Sequence, residues 1–126
     1  MQEGNVVLAA VPQADGQFKP RPAVILREMP PHRDLLVCGV SLQLQQYVQN
    51  FDELIDPGDP DFATSGLTGR SVIRLGFLAL IPRRLIPGTL GAISTDRHHR
   101  LVVRLSDYLV ARIQPRRQGR ARSTSG

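Results

Sequence analysis

Lys19-Pro20-Arg21-Pro22-Ala23-Val24-Ile25-Leu26, KPRPAVIL, is the stretch on which the fold turns. Its second half is an unbroken apolar run with two β-branched residues, and this predicts a strand over Arg21 to Met29. Pro22 can sit only at a strand start or on an edge, because it gives the ladder no N–H. Upstream, Gly4 to Val11 alternates weakly and is rich in valine, so it reads as a first strand ended by Pro12. Between the two, PQADGQFKP is a loop with Asp15-Gly16 turn chemistry, longer than a tight hairpin and with room for a mobile finger.

Downstream, Pro30 to Asp34 reads as a turn and Leu35 to Leu42 as a third strand, buried at its centre. Gln43 to Phe51 is polar, and the acidic, proline-containing stretch from Asp52 to Gly66 is expected to be a long solvated surface loop. Ser71 to Leu75 predicts another strand, and Ile81 to Leu90 one helical turn bounded by Pro82 and Pro87. A helix should start near Thr95-Asp96 and end at Pro115. Its stripe of Leu101, Leu105, Tyr108 and Leu109 would pack inward, with Arg97, Arg100, Arg104 and Arg112 pointing away. Short strands followed by a single terminal helix predict a mainly β chain, a small antiparallel barrel with a C-terminal α-helix.

Composition bounds the rest. A chain of 126 residues with 41% hydrophobic and 21% charged residues suits one globular domain. Aromatic residues are 5% and Trp is absent, so a broad base-stacking surface is excluded, and any nucleic-acid contact would lean on charge. The single Cys38 allows no internal disulfide, which points to a cytoplasmic protein. The opening MQEGNVVLAAVPQ has no basic leader, and Pro12 breaks it well short of a membrane span, so neither signal peptide nor membrane helix is expected. The net charge of +5 is concentrated in the last segment, where Arg116, Arg117, Arg120 and Arg122 stand without an acid. Residues 114–126 therefore read as a disordered basic tail, either simply solvated or attracted to phosphates.

No metal or cofactor is expected. His98 and His99 are adjacent, so on a helix their side chains diverge, and the prolines of DPGDPDF break a calcium-loop pattern. The chain carries neither a phosphate-cradling glycine loop nor a nucleophile elbow.

Taken in order, four segments resemble the MazF/PemK toxin family. GNVVLAAVPQADG followed by RPAVIL resembles the family's Gly-led strand, Pro and Asp-Gly loop and Arg-Pro-initiated strand. LLVCGVSLQ resembles its next strand, SGLTGRSVIRL its later Gly-Leu and Ser-Val-Val-Arg-Leu segment, and LIPGTLGAIS with the helix its ending. The resemblance spans about residues 4–113, giving a toxin domain over 1–113. It implies an SH3-like barrel of the CcdB/MazF type and usually a homodimer. It also implies a toxin of a type II toxin-antitoxin system that cleaves single-stranded RNA at specific sequences without a metal and is blocked by a cognate antitoxin.

Residue by residue, Arg21 matches the family's catalytic Arg, and a guanidinium can bind two phosphate oxygens at once. Spacing alone favours a surface Arg at a strand end, and the resemblance reverses that preference. Ser41 stands where the family generally has a catalytic Thr; it could donate to the same phosphate or simply satisfy a turn. Arg74 matches an assisting Arg, but Gly76 replaces the Asp that some members carry two residues later, so the usual base is missing. His32 is a candidate acceptor, and Asp34 lies close to it in sequence. RNA contacts are expected from Asp15, Gln17, Lys19 and Gln43. The alternatives are a weakened MazF-like module that binds RNA or antitoxin without cutting, and a gyrase-targeting toxin on the same barrel.

Overall fold

The computed structural model describes residues 1–12 and 14–111. Its elements are β1 (Asn5–Pro12), β2 (Phe18–Met29), β3 (Asp34–Ser41), β4 (Glu53–Ile55), the short α1 (Phe62–Ser65), β5 (Ser71–Ile81), β6 (Gly88–Ala92) and α2 (Thr95–Val110). All pairings are antiparallel and join six strands in the order β4-β5-β3-β2-β1-β6. The sheet curls into a half-barrel with α2 against one side, the mainly β architecture anticipated from the strand pattern.

β2 explains why the opening stretch is so apolar. Successive side chains on a strand point to opposite faces, and here both faces are covered. Val24 and Leu26 join Cys38, Ile73 and Leu75 in a core closed by Leu101 and Leu105 of α2. Ala23 and Ile25 join Val7, Val37, Ile81 and Ile86 in a second core on the other side. Each large aliphatic side chain fully buried in this way contributes roughly 1.5–3 kcal/mol. Cys38 is among them, and burial pushes its thiol pKa up to about 12, leaving it unreactive.

The prolines are accommodated as edge residues. β2 begins at Phe18, three residues before the expected Arg21, because it pairs with β1 all the way from Val6–Val24 to Pro12–Phe18. The β2–β3 ladder, however, begins only at Ala23–Gly39. Pro20 and Pro22 thus occupy a segment with β1 on one side only, where a missing N–H costs no ladder bond. The β1–β2 connection is correspondingly shorter than the finger expected over residues 12–20.

Other expectations meet different outcomes. β5 runs past Leu75 to Ile81. The helical turn expected between Pro82 and Pro87 is present as a 3-10 turn, Arg83–Leu85, but it is followed by an unexpected strand, β6, which has too little apolar content to announce itself. The acidic 52–66 stretch contains β4 and α1, and Asp52, Glu53, Asp61 and Ser65 are buried.

Arg97 accounts for the burial of Glu53 and Asp61 in that stretch. Instead of pointing away, its side chain is 7% exposed; Nε donates to Asp61 Oδ2 at 2.9 Å, Nη1 to Glu53 Oε1 at 2.9 Å and Nη2 to Asp59 Oδ2 at 3.0 Å. Buried charge is tolerated when it is paired and hydrogen-bonded throughout. Arg100 Nε adds a bond to Glu53 Oε2 at 3.0 Å, so α2 is tied to the acidic stretch by charge as well as by Leu101 and Leu105.

The cap of α2 is Ser94, whose Oγ accepts from the Arg97 N–H at 3.1 Å, and Asp96 lies in the first turn. At the other end the helix outruns the core, and Tyr108 and Leu109 are exposed rather than packed inward, Tyr108 keeping only a tilted contact with Phe51 at 5.0 Å. Arg112, Pro115 and the basic tail over 114–126 lie outside the described residues. Among the described residues no helix is long and apolar enough to cross a membrane.

Candidate active site

The register of three neighbouring strands builds the site. Ala23 of β2, Gly39 of β3 and Arg74 of β5 are direct partners across the sheet and so form one row. Two residues on, with the same facing, Ser41 pairs with Val72. Arg21 occupies the matching place on β2, just beyond the last β2–β3 pair. The parity of the sheet therefore brings Arg21, Ser41 and Arg74 to one face, around a cavity of about 350 Å³ that all three line together with Gly39, Gln43 and Phe77.

A wide bulge shapes its floor. Between the pairs Cys38–Leu78 and Gly39–Arg74, β5 carries three extra residues, Leu75, Gly76 and Phe77. The Leu75 N–H, freed from the ladder, donates to Asp52 Oδ1 at 3.0 Å, while Asp52 Oδ2 accepts from the Val48 N–H at 2.9 Å. Phe77 is turned toward the cavity, and the Arg74 guanidinium lies over its ring, 5.2 Å from the centroid, a cation–π contact that orients the cation.

Arg21 is exposed and Arg74 half-buried. Ser41 Oγ accepts from the Gln43 N–H at 3.0 Å. The turn-forming role is thus observed, and accepting that bond leaves the hydroxyl hydrogen free to donate elsewhere. Two guanidinium groups and one hydroxyl on one concave surface make an anion site, suited to a phosphate flanked by larger groups.

The remaining sequence candidates divide. Gln43 lines the cavity; Asp15, Gln17 and Lys19 do not, and Ala14 represents the loop there instead. Asp15 Oδ1 accepts from the Gln17 N–H at 3.0 Å around Gly16 at φ +82°, so it shapes the turn. Lys19 is an exposed strand residue opposite Val11. His32 is not brought to the site: it lies in the exposed turn between Met29 and Asp34, at the far end of the β2–β3 ladder from Ala23–Gly39. Asp34 stands at that same end. His98 Nε2 meets Leu26 O at 2.8 Å, where the β2 bulge interrupts the ladder, while His99 is exposed. Among the described residues no group of three His, Cys, Asp or Glu side chains has metal-holding geometry.

Phe77, Gln46 and Asp52 escaped the sequence reading. Phe77 sits on a bulge that no local pattern marks, and Asp52 lies in a stretch whose composition reads as solvated.

This fold is that of a known toxin class. The chain matches the family of PemK-like, MazF-like toxins of type II toxin-antitoxin systems over residues 2–109 and belongs to it. Among solved structures it is similar in fold to Mycobacterium tuberculosis toxin MazF-mt6, with a TM-score of 0.61 and 19% identity over 83% of this chain and 95% of that one. It is also similar to an endoribonuclease in complex with its cognate antitoxin from Mycobacterial species, with a TM-score of 0.63 and 13% identity over 90% of this chain and 99% of that one. No curated protein matches the chain in sequence.

Proposed function

We propose that the chain is the toxin of a type II toxin-antitoxin pair and acts in the cytoplasm as a metal-independent endoribonuclease that cuts single-stranded RNA at short specific sequences. The observation that carries this reading is the convergence of Arg21, Ser41 and Arg74 on one cavity in a chain of the PemK-like, MazF-like family. Arg21 binds the scissile phosphate, and Ser41 donates to one of its nonbridging oxygens. The 2′-hydroxyl attacks phosphorus, the bond to the 5′-oxygen breaks, and the products are a cyclic 2′,3′-phosphate and a 5′-hydroxyl end. Arg74 adds charge as the phosphorane forms, where a preorganised donor is worth most.

The described lining offers no carboxylate or imidazole. In this reading the 2′-hydroxyl proton passes to a phosphate oxygen or to water, and the leaving oxygen is protonated by solvent. That same lining favours a second reading, a module that holds RNA or antitoxin without cutting. Residues 1–113 would form the toxin domain, with 114–126 as a basic extension, and the active particle would be a homodimer restrained by an antitoxin.

The test is incubation of the purified chain with a long single-stranded RNA in excess chelator. Cutting that Arg21→Ala abolishes without unfolding the chain supports the enzyme; intact RNA with measurable binding supports the module.

A further inference from the structure

The wall that carries Arg21 and Ser41 has a hollow on each side. Beyond the cationic cavity, a second one of about 280 Å³ shares Arg21, Pro22, Val40, Ser41 and Gln43 with it. Its far side is different in chemistry, furnished by Leu42, Leu67, Thr68 and Leu90. Ser71 also borders it, but its hydroxyl donates to Gly69 O at 2.8 Å and is committed.

This far side is built rigidly. On β6, Gly91 pairs with Val6 and Thr89 with Val7, so Leu90 is the bulged residue between them, and bulges re-aim side chains. Two glycines let β6 and the end of α1 touch backbone to backbone. A Cβ on Gly66, at φ +75°, would fall 2.3 Å from Leu90 O, and one on Gly91 would fall 2.1 Å from Thr64 O. Thr64 Oγ1 further donates to Ala92 O at 3.1 Å.

We propose that this second hollow is a nucleobase pocket, receiving the base on one side of the scissile phosphate and discriminating against guanine. It rests on the endoribonuclease reading. With the phosphate on Arg21 and Ser41, the nucleotides that flank it must run to either side of the wall, and one side is largely aliphatic. Single-stranded RNA is read through splayed bases placed in such pockets. Guanine carries an amine, a ring N–H, a carbonyl and ring-nitrogen acceptors. With Arg21 and Ser41 on the phosphate and Ser71 committed, only the Gln43 amide and the Thr68 hydroxyl are left among the lining side chains to meet them, so most go without partners. Uracil and adenine have fewer groups to desolvate. The expected discrimination is roughly ten- to hundredfold.

The test is cleavage of an RNA pool randomised around a cut, with sequencing of the new ends. The wild-type chain is compared with Leu90→Gln, which adds hydrogen-bonding capacity, and Thr68→Trp, which fills the hollow from an exposed position; thermal melting establishes that both fold. The wild type should deplete guanine about tenfold or more at one position beside the cut, Leu90→Gln should narrow that depletion, and Thr68→Trp should slow cutting most where that base is a purine. Arg21-dependent cutting with the same base frequencies in all three proteins overturns the pocket alone. Absence of cutting by the wild type, or undiminished cutting by Arg21→Ala, overturns the endoribonuclease reading and the pocket with it.

Discussion

Phe77 occupies the room that Gly39 leaves: a Cβ on the glycine would stand 2.9 Å from Phe77 Cδ2. The same ring carries the Arg74 guanidinium, so a main-chain position on β3 sets the place of a cation on β5. Gly39→Ala should push the ring aside at a cost of about 1–3 kcal/mol, read by urea unfolding, and should weaken RNA binding by displacing Arg74. Adding Phe77→Leu should recover part of the stability. Strictly additive losses in the double-mutant cycle would sink the coupling.

Arg97 is the sole cation facing both Asp61 and Asp59 among the described ion pairs. Arg97→Met should cost about 3–5 kcal/mol, since it leaves buried carboxylates uncompensated. A loss below about 1 kcal/mol in chemical denaturation would instead put the pair in the class of solvated surface bridges.

Stability should also fall in acid. Burial alone would raise the Asp61 carboxyl, but hydrogen bonds from Arg97 and the Ser94 N–H, together with the Arg97 charge, hold it below its ordinary value. A depressed folded-state pKa stabilises the fold fully above the unfolded value, near 4, and that contribution disappears as pH falls through the folded value. Melting temperature measured from pH 7 to pH 2 should therefore drop below about pH 4. In Asp61→Asn, less stable at neutral pH, that part of the decline should be smaller; an unchanged slope would assign it to other acids.

At Ser41, removal of the hydroxyl should lower cleavage roughly ten- to hundredfold, the value of one hydrogen bond to a charged group. Ser41→Thr should keep or raise activity, because the hydroxyl stays and its torsion is stiffer. Single-turnover rates decide between them, and a large loss in the threonine variant would remove Ser41 from the chemistry.

The sequence made the strands of this sheet legible where the apolar period was strong. β1, β2, β3 and the start of β5 could be read because burial on one or both faces leaves a mark in every other residue or in an unbroken run. β6 could not, since Gly91 serves the close backbone approach to Thr64 and Gly88 and Thr89 bring no apolar side chain to mark the strand. The acidic 52–61 stretch misled for a different reason: Asp52, Glu53 and Asp61 look solvated until their distant partners, Leu75 N–H and Arg97, are known. Arg21, Ser41 and Arg74 were legible through ordered motifs, while their common facing follows from register, which no single segment contains. His32 was close to Arg21 along the chain but is held at the other end of a hairpin.

The candidate site is carried by adjacent strands of one continuous hydrogen-bonded sheet, with its bulge pinned by Asp52. Among the described residues, the strands that carry Arg21, Ser41 and Arg74 keep those side chains in one register, so their spacing is set as the ladder forms. On the proposed function, an object laid over the opening would silence the chain without having to bend this platform.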